Sequence, residues 1–157
     1  MGRWLGIDHG TKRVGVAAGS TADGIASPLK VLPAEPADAM LEAIDRVAAE
    51  YGAEGIVVGW PLNMDDTEGP QGRLVRAMAG DLARATGRDV RLWDERLSSF
   101  DADQKLAGLF TRKKKRARQD AVAAAAILQD FLAAGGPDAA PRPDEIADAP
   151  GAPQTDG

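Results

Sequence analysis

Cysteine is absent from the chain, and histidine occurs once, as His9. Disulfides, thiolate metal sites and cysteine nucleophiles are therefore excluded. A lone imidazole argues against a His-rich zinc site and against a Ser-His-Asp triad. No apolar run approaches the ~20 residues that a membrane span needs. The opening MGRWLGIDHG lacks the basic-then-apolar layout of a secretory signal. The expected compartment is the cytoplasm, with no membrane partner.

What is present fits one globular domain. The chain has 157 residues, 44% hydrophobic and 27% charged, with a net charge of −5. That charge argues weakly against nucleic-acid binding, but its distribution changes the picture. Gly136 to Gly157 holds Asp138, Asp144, Glu145, Asp148 and Asp156 against Arg142 alone. Arg112, Lys113, Lys114, Lys115, Arg116 and Arg118 form a dense basic run. The tail also holds half of the prolines and few large apolar residues, so it is expected to stay disordered. The expected organisation is a domain over residues 1–135 and an acidic tail over 136–157.

Three early β-compatible runs, Arg3 to Asp8, Arg13 to Ala18 and Ala26 to Leu32, suggest an antiparallel meander with a turn at Asp23-Gly24. Met40, Leu41, Ile44, Val47, Ala48 and Tyr51 recur at helical spacing, and Gly52 supplies a stop. Gly55 to Trp60 reads as a buried strand, and Pro61 to Gln71 as a polar loop. A helix carrying Leu74, Val75, Met78 and Leu82 ends at Gly87, before a strand from Val90 to Trp93. A short helix is expected over Ser98 to Phe110. An apolar helix is expected over Asp120 to Ala134, which implies deep burial. The order β-β-β-α-β-α-β-α-α favours a mixed five-stranded α/β sheet with helices on both faces.

Three acids stand where the local pattern wants something else. Asp8 interrupts an apolar strand, Asp94-Glu95 follows another, and Asp120 opens an apolar helix. A carboxylate beside a core is costly unless paired or metal-bound, and oxygen-only ligands suit Mg2+ or Mn2+. Each acid also has a plain structural reading. Asp120 suits a helix N-cap, Glu95 suits a pair with Arg96, and Asp8 suits the backbone N–H groups of Gly10-Thr11. A carboxylate on a strand followed by Gly-Thr and a second strand is shared by nucleases and by phosphate-binding ATPases or sugar kinases. The latter close two such domains round a nucleotide, and no second Asp-x-Gly-Thr-like turn is present.

Four segments in order carry a resemblance: GIDHGTKRVGVA from Gly6, IVVGWPLNMDDTEGPQ from Ile56, DERLSS from Asp94 and DAVAAAAILQDFL from Asp120. On these the chain resembles the YqgF/RuvX family of the RNase H-like superfamily. That family is described both as Holliday junction resolvases and as pre-16S rRNA nucleases. The resemblance implies an RNase H-like, RuvC-type fold and a hydrolase of phosphodiester bonds. It implies that Asp8, Glu95 and Asp120 are the catalytic acids and hold two Mg2+ or Mn2+ ions. The implied partner is nucleic acid, either precursor rRNA within a small-subunit precursor or branched DNA, met by a monomer or homodimer. Phosphate contacts are expected from Lys12, Arg13, Arg96, Arg112, Lys113, Lys114, Lys115 and Arg116, with Asn63 touching substrate or shaping the site. Aromatics amount to 4%, so base stacking is not an evident mode of recognition.

The chain departs from the pattern in places. RuvC-type resolvases carry a fourth acid where Ala123 stands, and many relatives have Gly where this chain has Asp66. The missing acid keeps open an RNA-binding ribosome-maturation factor that does not cut. In the usual order 3-2-1-4-5, the fifth strand lies two places, about 10 Å, from the first. Glu95 must then lean inward to meet Asp8, with Asp94 or Asp65 as substitutes.

Overall fold

The computed structural model describes residues 2–97 and 112–146. The short helix expected over Ser98 to Phe110 lies outside them. Five strands form one sheet: β1 (Arg3–His9), β2 (Arg13–Ser20), β3 (Ala26–Pro33), β4 (Ala53–Trp60) and β5 (Asp89–Asp94). Their order across the sheet is β3-β2-β1-β4-β5. The first three run antiparallel, while β1, β4 and β5 run parallel. Parallel neighbours need crossovers, supplied by α1 (Ala37–Glu50) and α2 (Pro70–Thr86).

Side-chain alternation assigns each face its partner. Leu5, Ile7, Val14, Val16, Ile56, Val58, Val90 and Leu92 point to one side and pack with Ile44, Val47, Val75 and Leu82 of α1 and α2. Trp4, Ala17, Val57 and Trp93 point to the other and meet Ala124, Ile127, Leu128 and Phe131 of α3 (Arg112–Ala133). Those α3 residues recur at three- and four-residue steps, the spacing of one helix face.

The α3 face of the sheet is rich in glycine because the helix lies unusually close. A Cβ on Gly15 would come within 1.9 Å of the Asp120 carbonyl oxygen. On Gly6 it would come within 2.7 Å of the Ala124 carbonyl oxygen. Gln129 fixes the helix to the β2–β3 hairpin, accepting from the Ala26 N–H at 3.0 Å and donating to the Gly24 carbonyl.

Two expectations change. The last helix begins at Arg112, eight residues before Asp120, so Asp120 is an interior residue and not a cap. Arg, Lys, Ala and Gln are good helix formers, and neither Gly nor Pro interrupts this stretch; a hydropathy reading registers only its apolar part. The basic run thus sits on the opening turns of α3. The tail is also not wholly loose. Gly136–Ala139 and Pro143–Glu145 form 3-10 turns that lie along β5. The Leu92 N–H donates to the Pro141 carbonyl at 2.9 Å, and the Arg91 guanidinium donates to the Pro137 and Ala140 carbonyls. Ala140 is buried. β5 is an edge strand, and its free N–H groups give this segment a partner that composition does not reveal. Among the described residues no helix is long and apolar enough to cross a membrane.

Candidate active site

Asp8 lies near the carboxyl end of β1, and Glu95 follows directly on β5 in a 3-10 turn, Glu95–Leu97. Both therefore sit at the carboxyl edge of the parallel strands, where α/β sheets commonly bind ligands. Alternation decides which acid of the Asp94-Glu95 pair turns inward. Asp94 pairs in register with Trp60, which packs on the α1/α2 side. Glu95 falls on the opposite face, with Asp8 and α3. The two-strand gap is closed across Gly59 of β4: a Cβ there would sit 2.8 Å from Glu95 Oε1. Because Gly59 has no side chain, the Glu95 carboxyl lies over β4 and reaches β1.

The two acids share a hydrogen bond that Glu95 donates. Burial first, then the neighbouring negative charge, raises both. Asp8 is pushed up to about 6 by burial and by Asp120. Glu95 is pushed up to about 7 by burial and by Asp8. Two carboxyls in a partly desolvated space cannot both ionise cheaply, so they hold a proton between them unless a cation neutralises them.

Asp120 approaches through Gly15, which pairs directly with Asp8 across the β1–β2 ladder. The helix backbone rests on that glycine, and the Asp120 charge is felt at Asp8. Its carboxylate, however, is held by Arg13, whose Nε donates to Oδ2 at 2.7 Å. Among the described residues, no three acid or histidine side chains gather closely enough to hold a cation as they stand. The structure thus brings Asp8 and Glu95 into contact and sets Asp120 beside them, turned to Arg13.

The substitute acids stand elsewhere. Burial of Asp94 is outweighed by its hydrogen bonds from Arg96, which hold it below the usual carboxylate range. Asp65 is exposed and bonded to Thr67. Arg96, expected at a phosphate, is spent on the protein: it donates to Asp94, to Asp66 Oδ1 at 2.8 Å and to the Asn63 carbonyl at 2.8 Å. Asn63 shapes its loop, with its N–H donating to the Thr67 carbonyl and its side chain to the Thr67 hydroxyl. Lys12 is exposed at the β1–β2 turn. Arg112, Lys113, Lys114, Lys115 and Arg116 are helical in backbone. Burial lowers His9, which keeps it neutral at pH 7, and its Nδ1 makes no protein hydrogen bond.

Sequence reasoning misses Glu68, the one buried charged residue among those described. It accepts two hydrogen bonds from Arg76, both 2.8 Å, and one from the Trp60 indole at 3.0 Å. This post anchors the loop whose Asn63 and Asp66 hold Arg96 beside Glu95. The only signal was an indole N–H at a strand end that needs an acceptor. A cavity of about 440 Å3 between α2 and Pro143–Glu145 lies away from these acids. Arg84, Arg88 and the Arg142–Asp89 pair line it, and none of the three acids does.

The sheet order and the parallel carboxyl edge define an RNase H-like fold. Thermus thermophilus RuvC bound to a Holliday junction superposes with a TM-score of 0.51 over 86% of this chain and 97% of that one, at 16% identity. A second T. thermophilus RuvC structure gives 0.50 over 88% and 98%, at 17% identity. These establish the fold. The family model described as "RuvX: Holliday junction resolvase" matches residues 2–134. A relative from Anaeromyxobacter sp. (strain Fw109-5), named "Putative pre-16S rRNA nuclease", is 44% identical over 131 residues, 83% of this chain and 96% of its own length. One of the same name from Chloroflexus aggregans is 40% identical over 129 residues, 82% and 91% of the two chains. The chain belongs to the RuvX family.

Proposed function

We propose that this chain is a divalent-cation-dependent endonuclease that trims the 5′ end of the small-subunit rRNA precursor in the cytoplasm. The single observation that carries the hydrolytic reading is the proton-sharing contact between Asp8 and Glu95, with Asp120 at its border. A pair of carboxyls raised by burial and mutual repulsion is a site that gains from a cation. The donor set is oxygen only, which suits Mg2+ or Mn2+. Asp8, Glu95 and, once turned inward, Asp120 would hold it. A cation bound there supplies an activated water and neutralises charge on the phosphoryl group.

The chain's own residues do the rest. Gly59 lets Glu95 reach Asp8, and Gly15 lets α3 carry Asp120 to the same edge. Arg96 holds Asp94 on the far face and fixes the turn that aims Glu95. Lys12 and the opening turns of α3 offer positive charge for the sugar-phosphate backbone; such contacts set register and affinity and read no sequence. The rRNA substrate is favoured by the names of the full-length relatives. A four-way DNA junction is the second reading, favoured by the family model's description.

The test is a cleavage assay. Labelled precursor RNA and junction DNA are each incubated with Mn2+ and with wild-type or Asp8→Asn protein. The expected result is precursor cutting by the wild type, lost in the variant. Junction cutting in place of RNA cutting would favour the second reading. Cutting that survives in Asp8→Asn, or binding without cutting by the wild type, would overturn the proposal.

A further inference from the structure

We propose that Arg13 is a displaceable guard on Asp120. It keeps this carboxylate from a divalent cation until a backbone phosphate takes the guanidinium. The inference rests on reading Asp120 as a cation ligand.

Arg13 and Gly15 are two residues apart on β2 and so project to the same face of the sheet. Gly15 lies opposite Asp8 and against the Asp120 backbone. Arg13 therefore stands at the border of the acid pair, and its Nε closes on Asp120 Oδ2 at 2.7 Å. That bond accounts for the incomplete gathering of the three acids. No other carboxylate replaces Asp120 here, because residues 121–129 contain no acid. Whatever holds Asp120 thus controls the third ligand.

Exposure shows that the bond can be exchanged. The Arg13 side chain is 41% exposed and that of Asp120 29%. Solvated pairs of this kind shift an equilibrium by no more than about fivefold. A phosphate oxygen is an equally good or better partner for the guanidinium. The cation is likewise a better partner for the carboxylate. Each newcomer frees the residue the other one needs, so cation and nucleic acid assist each other's binding, and by linkage equally in both directions. Without nucleic acid Asp120 favours Arg13 by up to about fivefold, so the third ligand is offered mainly once a phosphate is bound.

Two measurements on the full-length protein test this, with no step depending on turnover. In the first, Mn2+ alone is titrated against wild type, Arg13→Gln and Lys12→Gln, with free Mn2+ read by electron paramagnetic resonance. Arg13→Gln is expected to bind Mn2+ about three- to fivefold tighter than wild type. Lys12→Gln removes the same charge from the adjacent, exposed residue and is expected to gain less. Arg13→Lys keeps the charge without the guanidinium fork and is expected to fall between wild type and Arg13→Gln.

In the second, a fluorescent single-stranded RNA is titrated in EDTA. Asp120→Asn frees Arg13 and is expected to tighten binding, and this gain is expected to vanish in the Arg13→Gln background. The guard is overturned if Arg13→Gln gains no more than Lys12→Gln. It is equally overturned if the Asp120→Asn gain persists undiminished without Arg13. If Mn2+ binds the wild type and is lost in Asp120→Asn yet is unaffected by Arg13→Gln, the guard alone fails. If Mn2+ binding is indifferent to Asp120→Asn, the cation-site reading fails and takes the guard with it.

Discussion

Gly59 governs how far Glu95 can reach. A methyl there would press on Glu95 Oε1 at 2.8 Å and on Ile127 Cδ1 at 2.6 Å. Overfilling of this kind costs about 1–3 kcal/mol. Displacing the carboxyl by about 1 Å is expected to cost roughly 10²-fold in cleavage rate. Gly59→Ala should therefore lose activity far out of proportion to its melting temperature, as parallel rate and unfolding measurements will show; proportionate losses would mean that Glu95 is not at the reacting centre. Asp8 carries a pH signature. The Asp8 and Glu95 carboxyls are raised to about 6 and about 7 in the folded protein. The folded state thus holds these protons more tightly than the unfolded chain, and ionising them weakens the fold. The penalty is absent below about pH 4, grows between there and pH 7, and is complete above it. Metal-free Asp8→Asn is therefore expected to melt a few degrees higher than wild type at pH 8 and no higher at pH 4. An equal difference at both pH values would contradict the shared-proton pair. At this scale the sequence is informative about Asp8, Glu95 and Asp120, because each acid breaks an apolar pattern. It offers Arg13 only as a phosphate contact, without its pairing to Asp120 107 residues away, and it is silent about Glu68, whose partner Arg76 lies 8 residues away.

The elements were legible in proportion to their hydrophobic periodicity. β1, β2, β4 and β5 are buried on both faces or nearly so and read as apolar runs; α1 and α2 read as stripes. α3 was legible only from Asp120 onward, because its first two turns are charged and helix-forming residues carry no hydrophobic period. Those turns give a second prediction. Replacing Lys113, Lys114 and Lys115 by Gln is expected to lower the salt dependence of single-stranded RNA binding by about 2 in log–log slope, from roughly 0.7 per phosphate contact. An unchanged slope would assign the run to the helix alone. Residues 136–146 were illegible for another reason: their bonds are made by backbone carbonyls, whose partners no side-chain pattern announces. They cap the edge of β5, the strand that leads into Glu95. Truncation after Gly135 removes the acceptor of Leu92 N–H and the two carbonyl acceptors of Arg91, which keeps Asp89. At about 1 kcal/mol for each bond lost, a melting-temperature drop of at least roughly 5 °C is expected. No change in a calorimetric or circular-dichroism melt would restore the picture of a loose tail.

Across the whole molecule, chain direction explains the placement of the chemistry. Three parallel strands end on one edge, so residues from the start, the middle and the end of the sequence meet there. One helix face and a run of glycines bring the third acid to them. The fold order was legible because the connections are short and the crossovers helical; the inward lean of Glu95 was not, because it depends on an absent side chain on the intervening strand. On this reading Asp8, Glu95 and Asp120 meet at a divalent cation. The direct measurement is anomalous scattering from a crystal soaked in Mn2+. With a non-cleavable RNA strand bound so that a phosphate occupies Arg13, a peak is expected between Asp8 and Glu95, with the Asp120 carboxylate turned from Arg13 toward it. A peak at Asp94 or Asp65, or none with Asp8 and Glu95 still sharing a proton, would contradict it.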